Sequence, residues 1–331
     1  MKLLKFPLLV QGHILKSMDY SQLFFLSLSS NKTKVLITYF KYNLLGFFFR
    51  FRHDALRVYF QDKDKKQLLL FKVFSFDVGT VSSEILEFVE EENTPACTMK
   101  FHRKSEDSDV VLDIQKHIFE TFSNYSKLYF TVVIDDIDYY RYVPGVERFN
   151  LMEKRYKVEV VEELIRNHSE LKAVIIFNDL VGDISPDSNI FDVRNLTIQY
   201  PSRPLADFME YYRGRFAVFC TPQREEAQLF LDRWLRKDCS ENIKHVIIYI
   251  LPEEEQFDDR LFVNFGKKRW DTSVMPKTYP FDKDDAYYSG TNSRWFTCNG
   301  LYYSERFDGK VATVGINANY LLFSVWDQRP W

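Results

Sequence analysis

The chain has 331 residues, 46% of them hydrophobic and 27% charged. That is ample apolar material for a core and excludes a disordered or low-complexity protein. A net charge of −3 supplies no basic field for nucleic acid or an anionic membrane, and no run of about 18 apolar residues offers a transmembrane helix.

Within the first forty residues, Val10, Ile14, Leu15 and Met18 fall on one face of a short helix. Asp19 breaks the run, and Leu23, Leu26 and Ser27 follow at helical spacing on a second helix. A third pattern, Val35 through Tyr39, is expected to be capped by Asn31. A trio of this size exposes more apolar side chain than it can bury, because about 40 residues seldom build a sufficient core. The surplus calls for a partner surface.

This stretch resembles an F-box, the motif that docks on the Skp adaptor of cullin-type ubiquitin ligases. The resemblance spans residues 5–45 and implies adaptor contacts at Pro7, Leu8, Val10, Ile14, Leu15, Met18, Leu23, Leu26 and Ser27. Four positions depart from the family pattern. Leu9 replaces an acidic residue, Gln11 an apolar one and Thr33 a tryptophan, while Gly12 weakens the first helix by roughly 1 kcal/mol.

Next comes a β-rich connecting region with helices, residues 46–126. Gly46–His53, Ala55–Phe60 and Gln67–Phe74 read as strands, the last two joined by the charged turn Asp62–Lys66. The end of the first alternates apolar and basic residues, as a strand with one wet face should. A short helix is expected around Ser83–Glu92, then a polar break at Asn93–Pro95 and a charged loop at Arg103–Asp109.

Helices and strands then alternate. Val111, Ile114, Ile118, Phe119 and Phe122 make a helical stripe before the strand Leu128–Ile134, and Val158, Val161, Leu164 and Ile165 repeat it before Leu171–Phe177. Leu196, Ile198 and Tyr200 form a strand, followed by a helix at Leu205–Tyr212 and a strand at Phe216–Cys220. Thr221-Pro222 would start the helix whose core face is Ala227, Phe230, Leu231, Trp234 and Leu235, and His245–Ile250 is another strand. Strand starts near 196, 216 and 245 suit a short leucine-rich-like array, or else a compact α/β sheet. Residues 252–294 are polar and read as loops. Trp295–Cys298, Leu301–Arg306, Lys310–Ile316 and Tyr320–Trp326 return to β, with a hairpin turn at Asp308-Gly309.

Two C-terminal pieces resemble the F-box-associated domain of the type expanded in nematodes. One is Phe230–Ile250, a tryptophan helix before an apolar strand. The other is the ordered set Arg306, Asp308, Gly309, Ala312, Thr313, Val325 and Trp326. The spacing and the resemblances together give an α+β protein: a three-helix F-box, then an α/β leucine-rich-like array and a C-terminal antiparallel β segment, with residues 127–326 implied as the α/β F-box-associated substrate-recognition region. The resemblances imply a substrate-recognition subunit of a Skp–cullin–F-box ligase that binds adaptor, cullin and a target protein. No active site, cofactor, metal, nucleic acid or membrane belongs to that reading.

The chemistry-bearing patterns are sparse. There is no phosphate loop, HExxH or GxSxG. The strand-end carboxylates Asp135, Asp136 and Asp138 allow a cryptic enzyme as a third reading, after an adaptor-independent α/β interaction scaffold. Asp282, Asp284 and Asp285 lack the glycine and closing glutamate of a calcium loop. Trp234 and Trp326 are expected in the core; Trp270, Trp295 and Trp331 are candidate recognition anchors. Four cysteines without CxxC spacing read as reduced thiols, and the chain as cytosolic or nuclear. The four sequons, at Asn31, Asn124, Asn167 and Asn195, are then chance matches.

Overall fold

The computed structural model describes residues 3–53, 56–64, 67–74, 83–87, 98–102, 110–123, 127–153, 155–199, 205–221, 224–250, 265, 268–282, 284–285, 295–298, 301–317 and 320–327. The chain divides into two compact units, Met1–Glu147 and Arg148–Trp331.

Unit 1 opens with three helices, α1 (Leu8–Ser17), α2 (Tyr20–Ser29) and α3 (Asn31–Thr38). Pro7 stands at the N-cap of α1, where a missing N–H costs nothing. Asp19 does more than break the run. Its carboxylate accepts from Gln22 N at 2.7 Å while Gln22 Oε1 accepts from Asp19 N at 3.2 Å, a complete capping box. The cap of α3 is Ser30, whose Oγ accepts from Thr33 N at 3.2 Å, and the expected cap Asn31 is the first helical residue.

The strands of unit 1 are β1 (Leu44–Phe51), β2 (Leu56–Asp62), β3 (Gln67–Phe74), β4 (Ser83–Glu87), β5 (Thr98–His102) and β6 (Tyr129–Ile134); helix α4 (Val110–Phe122) precedes β6. They lie in the order β6-β1-β2-β3-β4-β5, with β1 parallel to β6 and every other pair antiparallel. The central place of β1 explains why Phe47, Phe48 and Phe49 are all buried, against the expectation of one wet face. A strand covered on both sides reads as a continuous apolar run, and β1 is partly exposed at Leu45 and Arg50. Residues 83–87, expected to be helical, pair as a strand between β3 and β5; long-range pairing overrides a local helical reading. The rest of that expected helix, the break at 93–95 and the loop at 103–109 lie outside the described residues.

Unit 2 carries β7 (Arg148–Leu151), β8 (Arg155–Lys157), α5 (Val158–Asn167), β9 (Ala173–Ile176), β10 (Asp179–Val181), β11 (Asn195–Ile198), α6 (Leu205–Tyr211), β12 (Phe216–Thr221), α7 (Arg224–Arg236) and β13 (His245–Ile250). Strands β7, β9, β11, β12 and β13 are parallel neighbours in chain order. They begin at residues 148, 173, 195, 216 and 245, so successive units run 21 to 29 residues. Such parallel pairing requires crossover connections, and the buried stripes Val158, Val161, Leu164 and Ala227, Phe230, Leu231, Trp234 are the inner faces of two of them.

Short strands β14 (Lys268–Arg269) and β15 (Thr278–Pro280) lie within the stretch expected as loop, while β16 (Trp295–Thr297), which pairs with β15, falls on the strand expected at Trp295–Cys298. Strands β17 (Tyr302–Glu305), β18 (Val311–Asn317) and β19 (Tyr320–Trp326) then form an antiparallel meander whose last strand pairs with β13. Gly309, at φ 84°, makes the expected turn between β17 and β18. Among the described residues, no helix is long and apolar enough to cross a membrane.

Candidate functional site

The nine expected adaptor-binding residues split into three groups. Pro7, Leu8 and Val10 are exposed, Leu8 at 63%. Ile14, Met18 and Leu26 are half-buried, each with an outer face in solvent. Leu15 (0% exposed), Leu23 and Ser27 are buried within unit 1. Ser27 Oγ donates to Phe24 O at 2.5 Å and lies 2.6 Å from His117 Nε2 on α4. With its own proton given to Phe24, the hydroxyl accepts from His117 Nε2–H. Burial, assisted by the nearby Lys34 ammonium, pushes His117 down to about 4 and keeps it neutral. An ion pair from Lys34 Nζ to Glu120 at 2.5 Å and edge-on rings of Tyr42 and Phe122 add to the seam between the trio and α4.

The off-pattern positions have internal roles. Gln11 Nε2 donates to Phe6 O at 2.7 Å, tying the turn before α1 to the helix. Thr33 Oγ1 donates to Leu26 O at 2.9 Å, or to Ser30 O at 2.7 Å, which joins α2 to α3. A Cβ on Gly12 would stand 2.7 Å from the Phe40 ring, so the glycine admits that ring against α1.

The same packing leaves an apolar surface outside at the start of α1. Leu4, Phe6, Leu8, Leu9 and Val10 are exposed over the turn and first turn of α1, with Leu9 at 75%. Beside them a cleft of about 410 Å³ is lined by Leu8, Leu9, Gly12, His13, Lys16 and Phe40. Sequence reasoning missed Leu4, Phe6, Leu9 and Phe40 as members of this face. Leu9 stood in the sequence as an apolar residue at a polar position, which was the available signal.

The other sequence candidates have partners within the fold. Asp135 accepts from Arg50 Nε at 2.8 Å and Nη2 at 3.0 Å, and Arg52 Nε lies 3.3 Å away. Asp136 accepts from Asp138 N to cap a short 3-10 turn. Asp135 so held ties the end of β6 to β1.

In unit 2 a basic residue precedes each of four in-register strands: Lys172, Arg194, Arg215 and Lys244 stand before β9, β11, β12 and β13. Asp285, 0% exposed, sits between Arg194 Nη2 at 3.0 Å and Arg215 Nε at 2.8 Å. Asp282 and Asp284 approach Arg194 and Lys172, and Asp327 pairs with Lys244. The acidic triplet therefore closes the strand-start edge of this sheet. Among the described residues, no group of His, Cys, Asp and Glu is arranged to hold a metal.

The Arg306–Asp308 motif is likewise a corner clamp. Arg306, with a side chain 1% exposed, donates Nε and Nη2 to Asp308 at 2.9 and 2.6 Å and stacks over Trp234, 5.1 Å from the ring centroid. The guanidinium holds Asp308 down at about 2. Trp270 is no recognition anchor: it is buried, stacks on Trp326 at 4.9 Å and donates Nε1–H to Pro276 O at 2.9 Å. The side chain of Trp295 and all of Trp331 lie outside the described residues. Comparison with protein-family models, with curated proteins and with solved structures finds no match.

Proposed function

We propose that the chain is a substrate-recognition subunit of a Skp–cullin–F-box ubiquitin ligase, gripping the adaptor through residues 5–45 and a target protein through the rest. The observation that supports this reading most is the apolar run Leu4, Phe6, Leu8, Leu9 and Val10, left in solvent at the head of the helical trio. On this reading Pro7, Leu8, Val10 and the outer faces of Ile14, Met18 and Leu26 meet the adaptor. Leu15, Leu23 and Ser27 keep the handle in shape.

The in-order parallel strands of unit 2 fit a short leucine-rich-like array, and the clamped meander after it fits an F-box-associated domain. Such a subunit has no active site of its own and acts by holding a target near charged ubiquitin. It works in the cytosol, the nucleus or both.

Affinity purification of the tagged full chain tests the proposal: adaptor and cullin should be recovered in stoichiometric amounts. Recovery of neither favours an adaptor-independent α/β scaffold. The Ser27–His117 and Lys34–Glu120 contacts, which dock the trio on α4, are the observations behind that second reading.

A further inference from the structure

The strand-start edge of unit 2 carries a row of cations, and the chain itself supplies their cover. Lys172, Arg194, Arg215 and Lys244 precede in-register strands, so their backbones stand about 4.8 Å apart from neighbour to neighbour. Like charges set side by side across strands repel one another and call for anions over them. The cover is the segment Thr278–Asp285, which crosses the strands one after another. Tyr279 donates Oη–H to Val325 O on β19 at 2.7 Å and meets the His245 ring on β13 edge-on at 5.0 Å. Phe281 lies 4.8 Å from the His245 ring and 6.1 Å from the Phe216 ring on β12. Beyond it the carboxylates reach Arg215, Arg194 and Lys172.

Two grades of contact hold this strap. Tyr279 and Asp285 are buried, and Asp285 meets both guanidiniums within 3.0 Å. The outer contacts are long. Asp282 stands 3.5 Å from Arg194 Nη2 and Asp284 4.0 Å from Lys172 Nζ, with side chains 42% and 31% exposed. Ion pairs at the surface contribute little, so these two exchange for another anion at low cost while Asp285 keeps the anchor. The groove displays in its own occupant the chemistry it accepts: an aromatic ring over Phe216 and His245, then carboxylates on the cation row.

We propose that Phe281, Asp282 and Asp284 are a tethered stand-in for a target, an autoinhibitory contact displaced by a protein segment that carries an aromatic residue followed by carboxylates. The inference rests on the substrate-recognition reading and names the class of segment recognised. Lys172 and Arg194 Nη2 receive the incoming carboxylates, while Arg215 and Asp285 stay paired and hold the edge closed.

The probe is a fluorescein-labelled peptide with the sequence of residues 278–285, titrated with the full chain and followed by anisotropy. Asp282→Asn with Asp284→Asn removes the tethered charges. The amide oxygen at 282 still accepts from Asp284 N and Asp285 N, as Asp282 Oδ1 does at 2.9 and 3.4 Å, so the turn is kept. The double variant should bind the peptide about tenfold tighter than wild type, and Asp284→Asn alone about threefold tighter, the sizes expected for releasing two exposed ion pairs or one. The single variant carries the same test should the double variant unfold. Adding Lys172→Gln should reverse the gain. Equal binding by wild type and variants, no binding in any sample, or undiminished binding of a peptide with its three aspartates replaced by asparagine would each overturn the inference. None of these results bears on adaptor recovery, by which the substrate-recognition reading stands or falls.

Discussion

The first turn of α1 and the Arg306–Trp326 corner both set basic side chains beside large apolar ones, yet they end in opposite states. At the corner, Arg306 is stacked on Trp234 and forked onto Asp308, while Trp326 stacks on Trp270. Every one of those groups is spent inside unit 2. On α1, Leu8 and Leu9 stand in solvent with Lys5 and Lys16 at the ends of the run. Both regions carried a family resemblance in sequence. Burial separates a motif that holds the fold together from one whose apolar side chains stay in solvent.

That contrast can be broken most forcefully at the basic edge of unit 2. Asp285→Asn leaves two guanidiniums facing each other with half their compensation, and about 3–5 kcal/mol of stability should go in urea unfolding. A smaller loss of about 2–3 kcal/mol is expected for Asp308→Asn, which strands the buried Arg306. This second variant also sharpens the comparison through pH. Asp308 is depressed in the fold, so its contribution is present above the usual carboxylate range and disappears as pH falls toward 2. The Asn variant should unfold with a flatter acid profile than wild type.

His117 gives unit 1 its own pH signature. Its folded value near 4 lies below the unfolded one near 6.5, so the unfolded chain binds more protons between them. Stability should therefore fall as pH drops from about 6.5 to about 4 and level off below. The size is about 1–2 kcal/mol after allowance for the partial exposure of the ring. His117→Gln should remove that slope. Buried His245, pushed down to about 3, gives unit 2 a slope of the same sign that reaches lower in pH. The smallest effect belongs to α1 itself: Leu8→Asp with Leu9→Asp should change stability by no more than about 0.5 kcal/mol.

Much of the architecture could be read from local pattern. The helical trio, the β2–β3 hairpin, the core face of α7 and the closing meander each follow from periodicity plus a cap or turn residue. The failures share one cause, which is partnership across long stretches of chain. Residues 83–87 are a strand because β3 and β5 flank them. Asp285 is buried because Arg194 and Arg215 converge on it from the starts of β11 and β12. Trp270 sits in a stretch that reads as loop, and it is core because Tyr279, Cys298, Leu301, Val311 and the Trp326 ring gather round it from later in the chain. At the candidate site, the helical face was legible from its apolar spacing. Its division into inward Leu15, Leu23 and Ser27 and outward Leu8 and Leu9 was not, because it depends on α4 and on Phe40 lying against Gly12.

One paired measurement tests that division most directly: adaptor binding and thermal unfolding of Leu8→Asp/Leu9→Asp set beside those of Leu15→Ala. The first variant should lose adaptor binding with an unchanged melting temperature. The second should lose about 2–5 kcal/mol of stability, while its folded fraction still binds. Full adaptor binding by the soluble Leu8→Asp/Leu9→Asp protein would contradict the account.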